Sequence, residues 1–300
     1  MWQAIQANKR KSAVLIVLLA SVLMGLGYAI GFLMDPSGGP YGVMAAMIVW
    51  IVMMITSMAS GEKLLLFSAG AREVTHNEAP QLLNIVEEMQ IAAGLPATPR
   101  VYIIDNPAPN AFAVGLKPQR ACVAVTTGLL ARLNRDELQG VIAHEIGHIS
   151  NRDTLFMTLA GITVGAIIML ADLFLRRGLR FMFGGRRSSK GGGQAAIVIF
   201  IAAIVFAILA PILAQILYFA CSRRREYLAD ASAAQFTRYP EGLASALEKI
   251  AYTPASVMNV NRAVAPMFTV NPLAALGGST VFSTHPPTRD RIRILRGMAK

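Results

Sequence analysis

Charge is the scarcest thing in this sequence. Only 15% of its 300 residues are Asp, Glu, Lys or Arg, where a soluble globular chain carries roughly 25%. The shortage is local. It falls in a few long blocks without any charge, separated by stretches of ordinary composition. That excludes a wholly soluble globular chain and reads as membrane spans alternating with an aqueous domain. Cysteine is nearly absent as well. Cys122 and Cys221 stand alone, without CxxC spacing, so nothing in the pattern supports a disulfide, and both read as buried apolar residues in a reducing compartment. Also missing is any interleaving of aromatic with basic residues, or any nucleic-acid-binding motif. The net charge of +11 is therefore assigned to membrane orientation and lipid contact, with no nucleic-acid partner.

Among what is there, the apolar runs come first. Residues 12–34 contain no charge and are rich in Leu, Val, Ile and Ala, and about 20 apolar residues suffice to cross a bilayer. Residues 36–61 are a second uncharged run. The turn DPSGGP joins the two into a hairpin. The run 154–171 is shorter, with Asp172 at its end, and is the weaker candidate; the run 191–222 is uncharged throughout and a strong one. Lys9, Arg10 and Lys11 precede the first run, as in a cleavable signal. That run exceeds the roughly 7–15 residues of a signal's apolar region and a second span follows at once, so it reads as a retained anchor. The same basic cluster predicts a cytoplasmic N-terminus, and two crossings return the chain to the cytoplasm at Glu62. Between the third and fourth runs lies the basic connector RRGLRFMFGGRRSSKGGG. If both runs span, this connector lies outside, against the positive-inside tendency. If they enter without crossing, it stays inside beside anionic lipid. The length of the fourth run favours two true spans.

The stretch VIAHEIGHISN, residues 141–151, holds two of the four histidines. Residues four apart share a helix face, so His144 and His148 can point two imidazoles at one metal ion. Glu145, one residue round, can reach an attacking water. An HExxH zinc site requires these parts: two ligands and a general base. Leu138, Val141, Ile142, Ile146 and Ile149 recur at helical spacing around them, and either Asn134 or Asp136 can cap the start. Buried His and Glu without a metal would need other polar partners, which makes a merely packed helix the poorer explanation. A catalytic zinc wants a third protein ligand and one open position. His76 lies in the polar stretch EVTHNEAP and reads as a solvated loop residue. The better source is CSRRREYLADASA, where Glu226 and Asp230 are four apart on a helix that continues out of the fourth apolar run. Glu226 would ligate the zinc. Asp230, one turn on, would accept the ring N–H of a ligating His and fix its tautomer.

HEIGHISNRD, then SRRREYLADASA after a hydrophobic hairpin, then STHPPTRDRIRIL near the end follow one another over essentially the whole chain. In that order they resemble the HtpX-type membrane zinc metalloproteases, bacterial relatives of the CAAX prenyl endopeptidase and of the mitochondrial Oma-type protease. The resemblance implies one Zn2+ per chain, held by His144, His148 and Glu226, with Glu145 as catalytic base. It implies that PNAFAVG contains a cleft-lining edge strand, with Asn110, Ala111, Phe112 and Ala113 binding an extended polypeptide through the main chain. It gives His285, in the THPP element, a supporting role at the oxyanion, helped by an arginine such as Arg289 or Arg291. Asn151 falls at the end of the HExxH helix.

The implied fold is an α+β zincin domain, gluzincin-like and mainly α, with transmembrane helical hairpins. Residues 1–61 would be an anchoring hairpin, 62–153 the first part of the catalytic domain, 154–222 a second hydrophobic hairpin and 223–300 the second part. Helices are expected at 79–93, 136–150, 241–251 and 288–298, and strands near 100–104, 111–114 and 122–126. The implied function is that of a zinc metalloendopeptidase, multi-pass in the bacterial inner membrane, with its active site facing the cytoplasm. Its substrates would be misfolded or damaged membrane proteins, cut in quality control and the stress response. One alternative is a processing protease of narrow specificity, against which stands a smaller number of spans than the prenyl proteases have. Another is a non-catalytic scaffold stabilised by zinc, against which stands an intact Glu145.

Overall fold

The computed structural model describes residues 2–175, 194–251 and 286–298. In chain order the elements are α1 (Trp2–Met34), α2 (Gly39–Ser68), β1 (Ala71–Glu73), α3 (Pro80–Ala93), β2 (Arg100–Ile104), β3 (Ala111–Val114), β4 (Cys122–Thr126), α4 (Thr127–Arg132), α5 (Arg135–Ser150), α6 (Asp153–Leu173), α7 (Gln194–Thr237), α8 (Pro240–Ala251) and α9 (Thr288–Met298). They fall into two compact units. One consists of Gln6–Ala59 and Thr158–Tyr218, the other of Met1–Ile5, Ser60–Met157 and Phe219–Lys300.

The first unit is helical. Its α1–α2 turn is closed by Asp35, whose Oδ1 accepts the backbone N–H of Ser37 at 2.8 Å. Just above the turn the two backbones touch. A Cβ on Gly27 would lie 2.6 Å from the Gly42 carbonyl oxygen, and one on Gly31 2.3 Å from that of Gly38. Gly27 and Gly31 are four apart on α1, facing Gly42 on α2 and Gly38 just before it, so the contact is lined by glycine on both sides. Such small residues let helices approach closely where lipid gives them no hydrophobic reason to associate. Trp50 on α2 donates its indole N–H to Thr163 Oγ1 on α6 at 3.0 Å. Large apolar side chains such as Val17, Ile55 and Leu213 point outward and exposed, as lipid-facing positions should. Ala13–Met34, Gly39–Thr56 and Asp153–Leu173 are long and apolar enough to cross a bilayer. The third was the weaker candidate by sequence. It gains length because its helix begins at Asp153 and carries through Asp172 to Leu173. In the fourth run Ile204–Leu217 is a shorter apolar stretch of α7, and residues 191–193 lie outside the described residues.

The second unit is built on a four-stranded sheet in the order β1-β2-β4-β3. β2 and β4 run parallel, with Val101 opposite Val123 and Ile103 opposite Val125. β1 and β3 are antiparallel edges. All five residues of β4 are buried, as expected of a central strand covered on both faces. On one face Val123 and Val125 join Ile85, Val86, Leu129, Val141, Ile142 and Ile146 in the main core. On the other, Cys122 and Ala124 pack with Tyr102, Ile104, Phe112 and Leu66. Burial pushes the Cys122 thiol up to about 11, so this cysteine behaves as an apolar residue. The expected helices and strands fall within a residue of their predicted bounds. The added elements are the short helix α4 and β1, which is too short and too polar (Ala-Arg-Glu) to stand out from a loop.

α5 starts in a capping box. Asn134 Oδ1 accepts the N–H of Glu137 at 2.9 Å, and Glu137 Oε2 accepts the N–H of Asn134 at 2.9 Å. The same carboxylate accepts from Ser245 Oγ at 2.6 Å and Lys249 Nζ at 2.7 Å on α8. Burial works against its charge, but Lys249, Ser245 and the Asn134 amide outweigh it and hold its pKa below the usual 4.5. A depressed carboxylate stabilises the fold above the unfolded-state pKa, and that contribution disappears as pH falls through the folded value. Lys249 is half-exposed and screened, so the buried hydrogen bonds dominate. Glu137→Ala should cost about 1–3 kcal/mol at neutral pH. Thermal unfolding followed from pH 7 to 3 should show the gap between variant and parent narrowing at the acid end.

Candidate metal centre

α5 carries the site's first half. His144 and His148 lie on one face, with ring centroids 4.7 Å apart and planes at 84°. The second half is on α7, which runs from the fourth apolar segment into Glu226 and Asp230. Gly147, between the two histidines, lets α7 come close: a Cβ there would meet Ser232 Cβ at 3.1 Å and the Ala229 carbonyl oxygen at 3.2 Å. A larger residue at this point would push Glu226 away from the imidazoles.

The Nε2 atoms of both histidines converge on the Glu226 carboxylate, at 3.7 Å from His144 and 3.3 Å from His148. One ligand atom from each of the three residues lies within 4.8 Å of the others. Atoms bound at about 2.0–2.1 Å around a tetrahedral ion stand roughly 3.3 Å apart, so the group needs little adjustment to hold one. The outward-facing nitrogens are also engaged. His144 Nδ1 lies 2.9 Å from Asp230 Oδ1, and His148 Nδ1 lies 3.1 Å from Asp153 Oδ2. A carboxylate on Nδ1 selects the tautomer that leaves Nε2 a bare lone pair, directed inward.

Electrostatics point the same way. Glu145, Asp153, Glu226 and Asp230 are all buried here, against two buried guanidinium groups, Arg225 and Arg291. With neutral imidazoles, these described residues carry an excess of two negative charges, the charge of one divalent cation. Burying that excess uncompensated would be very costly. Burial works against the Asp230 charge as well, but Arg291 and the His144 ring hold its carboxyl down to about 2. Burial also opposes charge on His148, and the hydrogen bonds to Asp153 and Glu226 outweigh it, raising its pKa well above 6.5. The site demands positive charge.

Residues 76–299 match peptidase family M48. The chain belongs to peptidase family M48. It is 46% identical to a protease HtpX homolog of Dictyoglomus thermophilum over 299 residues, covering 100% of this chain and 95% of that protein. A protease HtpX homolog of Pyrococcus furiosus is 44% identical over 293 residues, with 96% and 95% covered. One of Streptococcus agalactiae serotype III is 40% identical over 301 residues, with 99% and 100% covered. The fold resembles the crystal structure of S. mikatae Ste24p, at a TM-score of 0.56 and 20% identity over 98% of this chain and 67% of that one. With helices able to cross a bilayer, this M48 protein is a membrane metalloprotease.

The sequence-predicted site residues of the M48 chain divide into three groups. His144, His148, Glu226 and Asp230 come together as described, with Glu145 buried beside them. Ala111, Phe112 and Ala113 form the start of β3, an edge of the sheet, and Asn110 immediately precedes it. Ala111 and Ala113 face the core that contains α5, whereas Phe112 faces the opposite one. Asn110 donates its backbone N–H to Thr126 Oγ1 at 2.9 Å, which fixes the strand's entry. His285 lies outside the described residues. His76 is exposed, in a turn, and Arg289 is exposed. Arg291 comes to the candidate ligands themselves, with Nη2 3.5 Å from His144 Nε2. It is fully buried, donates to both Asp230 oxygens at 2.9 and 2.7 Å, and lies 3.2 Å from Glu226 Oε2. Asn151 is the C-cap of α5, and its side chain donates to Ser232 Oγ at 3.1 Å. The residues that sequence reasoning missed are Asp153 and Arg225.

Proposed function

We propose that the chain is a zinc-dependent endopeptidase that cuts misfolded or damaged membrane proteins at the cytosolic face of the bacterial inner membrane. The observation that carries the reading is the convergence of two imidazole Nε2 atoms and one carboxylate, in surroundings two negative charges in excess. His144, His148 and Glu226 would hold one zinc ion, and a zinc there would lower the pKa of water from about 15.7 towards roughly 7 and polarise the scissile carbonyl. Glu145 then takes the proton of the attacking water on its carboxylate and delivers it to the leaving amide nitrogen. Asp230 holds the Nδ1 proton of His144 and keeps that ring in register. The resemblance gives β3, an edge of the sheet, the role of pairing with an extended polypeptide through the main chain, a largely sequence-tolerant mode suited to unfolded substrates. The THPP element supports a hydrogen bond from His285 to the developing oxyanion.

Connectivity supports the reading of membrane-protein substrates: the hydrophobic segment is inserted in sequence between the two halves of the site. Orientation rests on the basic cluster before the first span, and the quality-control role on the resemblance to HtpX-type proteases. The test uses the full chain in detergent with an unfolded protein substrate. Wild-type protein should release peptides, stop when chelator is added and resume with stoichiometric zinc; a chelator-insensitive activity overturns the reading. For topology, a cysteine placed at Ser188 should be labelled by an impermeant reagent added to intact cells if both later segments cross. Protection of that cysteine would mean that they do not.

A further inference from the structure

We propose that Arg225 and Asp153 form a positioning clamp for His148, and that through it the two ends of the inserted hydrophobic segment set the affinity of the metal centre. This rests on the ligand assignment above and gives a role to two residues that lie within the motifs HEIGHISNRD and SRRREYLADASA but had none.

Asp153 uses both of its carboxylate oxygens. Oδ2 meets His148 Nδ1 at 3.1 Å, and Oδ1 accepts from Arg225 Nη1. Both residues are buried, and the guanidinium lies over the Phe156 ring, 3.7 Å from its centroid. The imidazole therefore leans on a carboxylate that is itself held from behind by a stacked cation. His144 also rests on a carboxylate held by an arginine, but there Asp230 Oδ1 serves both the ring nitrogen and Arg291 Nη2, and Arg291 reaches Glu226 as well. The Nδ1 of each histidine meets a carboxylate, and each of those two carboxylates accepts from an arginine.

The local backbone is built for this contact. Asp153 follows the end of α5, where helical periodicity no longer applies. It returns to His148 because Arg152 takes a left-handed φ of 62°. A non-glycine residue stays in that region when its surroundings over-determine it. The Asn151–Ser232 hydrogen bond supplies part of that constraint from α7.

The clamp's position in the chain gives it its significance. Asp153 is the first residue of α6, and Arg225 immediately precedes Glu226. The whole hydrophobic insertion lies between them. His148 is oriented only when the two ends of that insertion meet, and the meeting also sets where Glu226 stands. An insertion whose ends are apart would leave one ligand poorly oriented and another out of place.

The test is zinc affinity of the full chain in detergent, measured by competition with a chromophoric chelator, together with the visible absorption of the cobalt-substituted protein and kcat and KM on an unfolded substrate. Outer partners of metal-bound histidines typically contribute about 10–100-fold in affinity. Arg225→Gln and Asp153→Asn should each weaken zinc binding by about that factor, alter the cobalt bands, and lower kcat with little change in KM. If Arg225 acts through Asp153, the double variant should bind zinc no worse than Asp153→Asn alone. Arg225→Lys keeps a charge for Asp153 and should recover part of the loss. Wild-type affinity in Asp153→Asn, or strictly additive losses in the double variant, overturns the clamp while leaving the ligand assignment intact. Should Arg225→Gln not be recovered folded, Asp153→Asn and Arg225→Lys decide the question by the same readings. A wild-type chain that binds no zinc would overturn the ligand assignment itself.

Discussion

Glu145→Gln is expected to lower kcat by about 10²–10⁴-fold, the usual contribution of a general acid–base, while bound zinc and folding remain as in the parent. Glu145 is buried beside His144 on α5, and glutamine keeps its shape there. The substitution removes the group that accepts the proton of the attacking water and later supplies the leaving nitrogen. It touches none of the three residues whose ligand atoms converge. One negative charge is lost from the surroundings, leaving three buried carboxylates against two arginines, so a divalent cation remains favoured. KM should change little, because the effect falls on the transition state. Peptide release from an unfolded substrate, with zinc quantified in the same preparation, checks this. Near-parental turnover would remove Glu145 as the base. Loss of zinc together with activity would mean that it holds the metal site together.

How much of this could be read from the chain depended on whether the signal was periodic. His144 and His148 are legible because four residues make one turn, and Glu226 and Asp230 for the same reason. The parallel and central strands were legible as short apolar runs. Asp153 was not, although it lies only five residues past His148. α5 ends at Ser150, and the return to the imidazole depends on the positive φ of Arg152, which no pattern announces. Arg225 was hidden in a run of three arginines. Arg224 is exposed and Arg225 buried, a difference set only by the phase of α7. That phase could have been taken from Ala229, Ser232 and Ala233, the small buried residues that mark the face turned towards α5. Arg291 was singled out for this site, but its contacts with Asp230 and Glu226 were not legible. Its distance in sequence from Asp230 left nothing local to pair them, and only the packing of α9 against α8 brings it in.

Glu226→Ala should bind zinc more weakly by a margin beyond the roughly 10–100-fold that loss of an outer partner costs, and protein purified without added metal should be empty and inactive. The substitution takes away one of three converging ligand atoms and leaves two imidazoles, too few for a catalytic zinc. It also deprives Arg291 of its 3.2 Å contact to Glu226, leaving the two hydrogen bonds to Asp230. Three carboxylates would then face two arginines, the same balance as in Glu145→Gln, so the difference between the two variants rests on the lost ligand atom. Stability gives an independent reading. A ligand that binds only the folded state raises the unfolding temperature in proportion to the logarithm of its concentration over Kd. Added zinc should therefore stabilise the parent and Glu145→Gln alike, and leave Glu226→Ala unmoved. Full zinc occupancy in Glu226→Ala would remove it as a ligand and shift the search for the third donor to the segments outside the described residues. If zinc is lost while the Glu145→Gln protein keeps it, the two carboxylates have separate roles: one holds the ion and the other moves the proton.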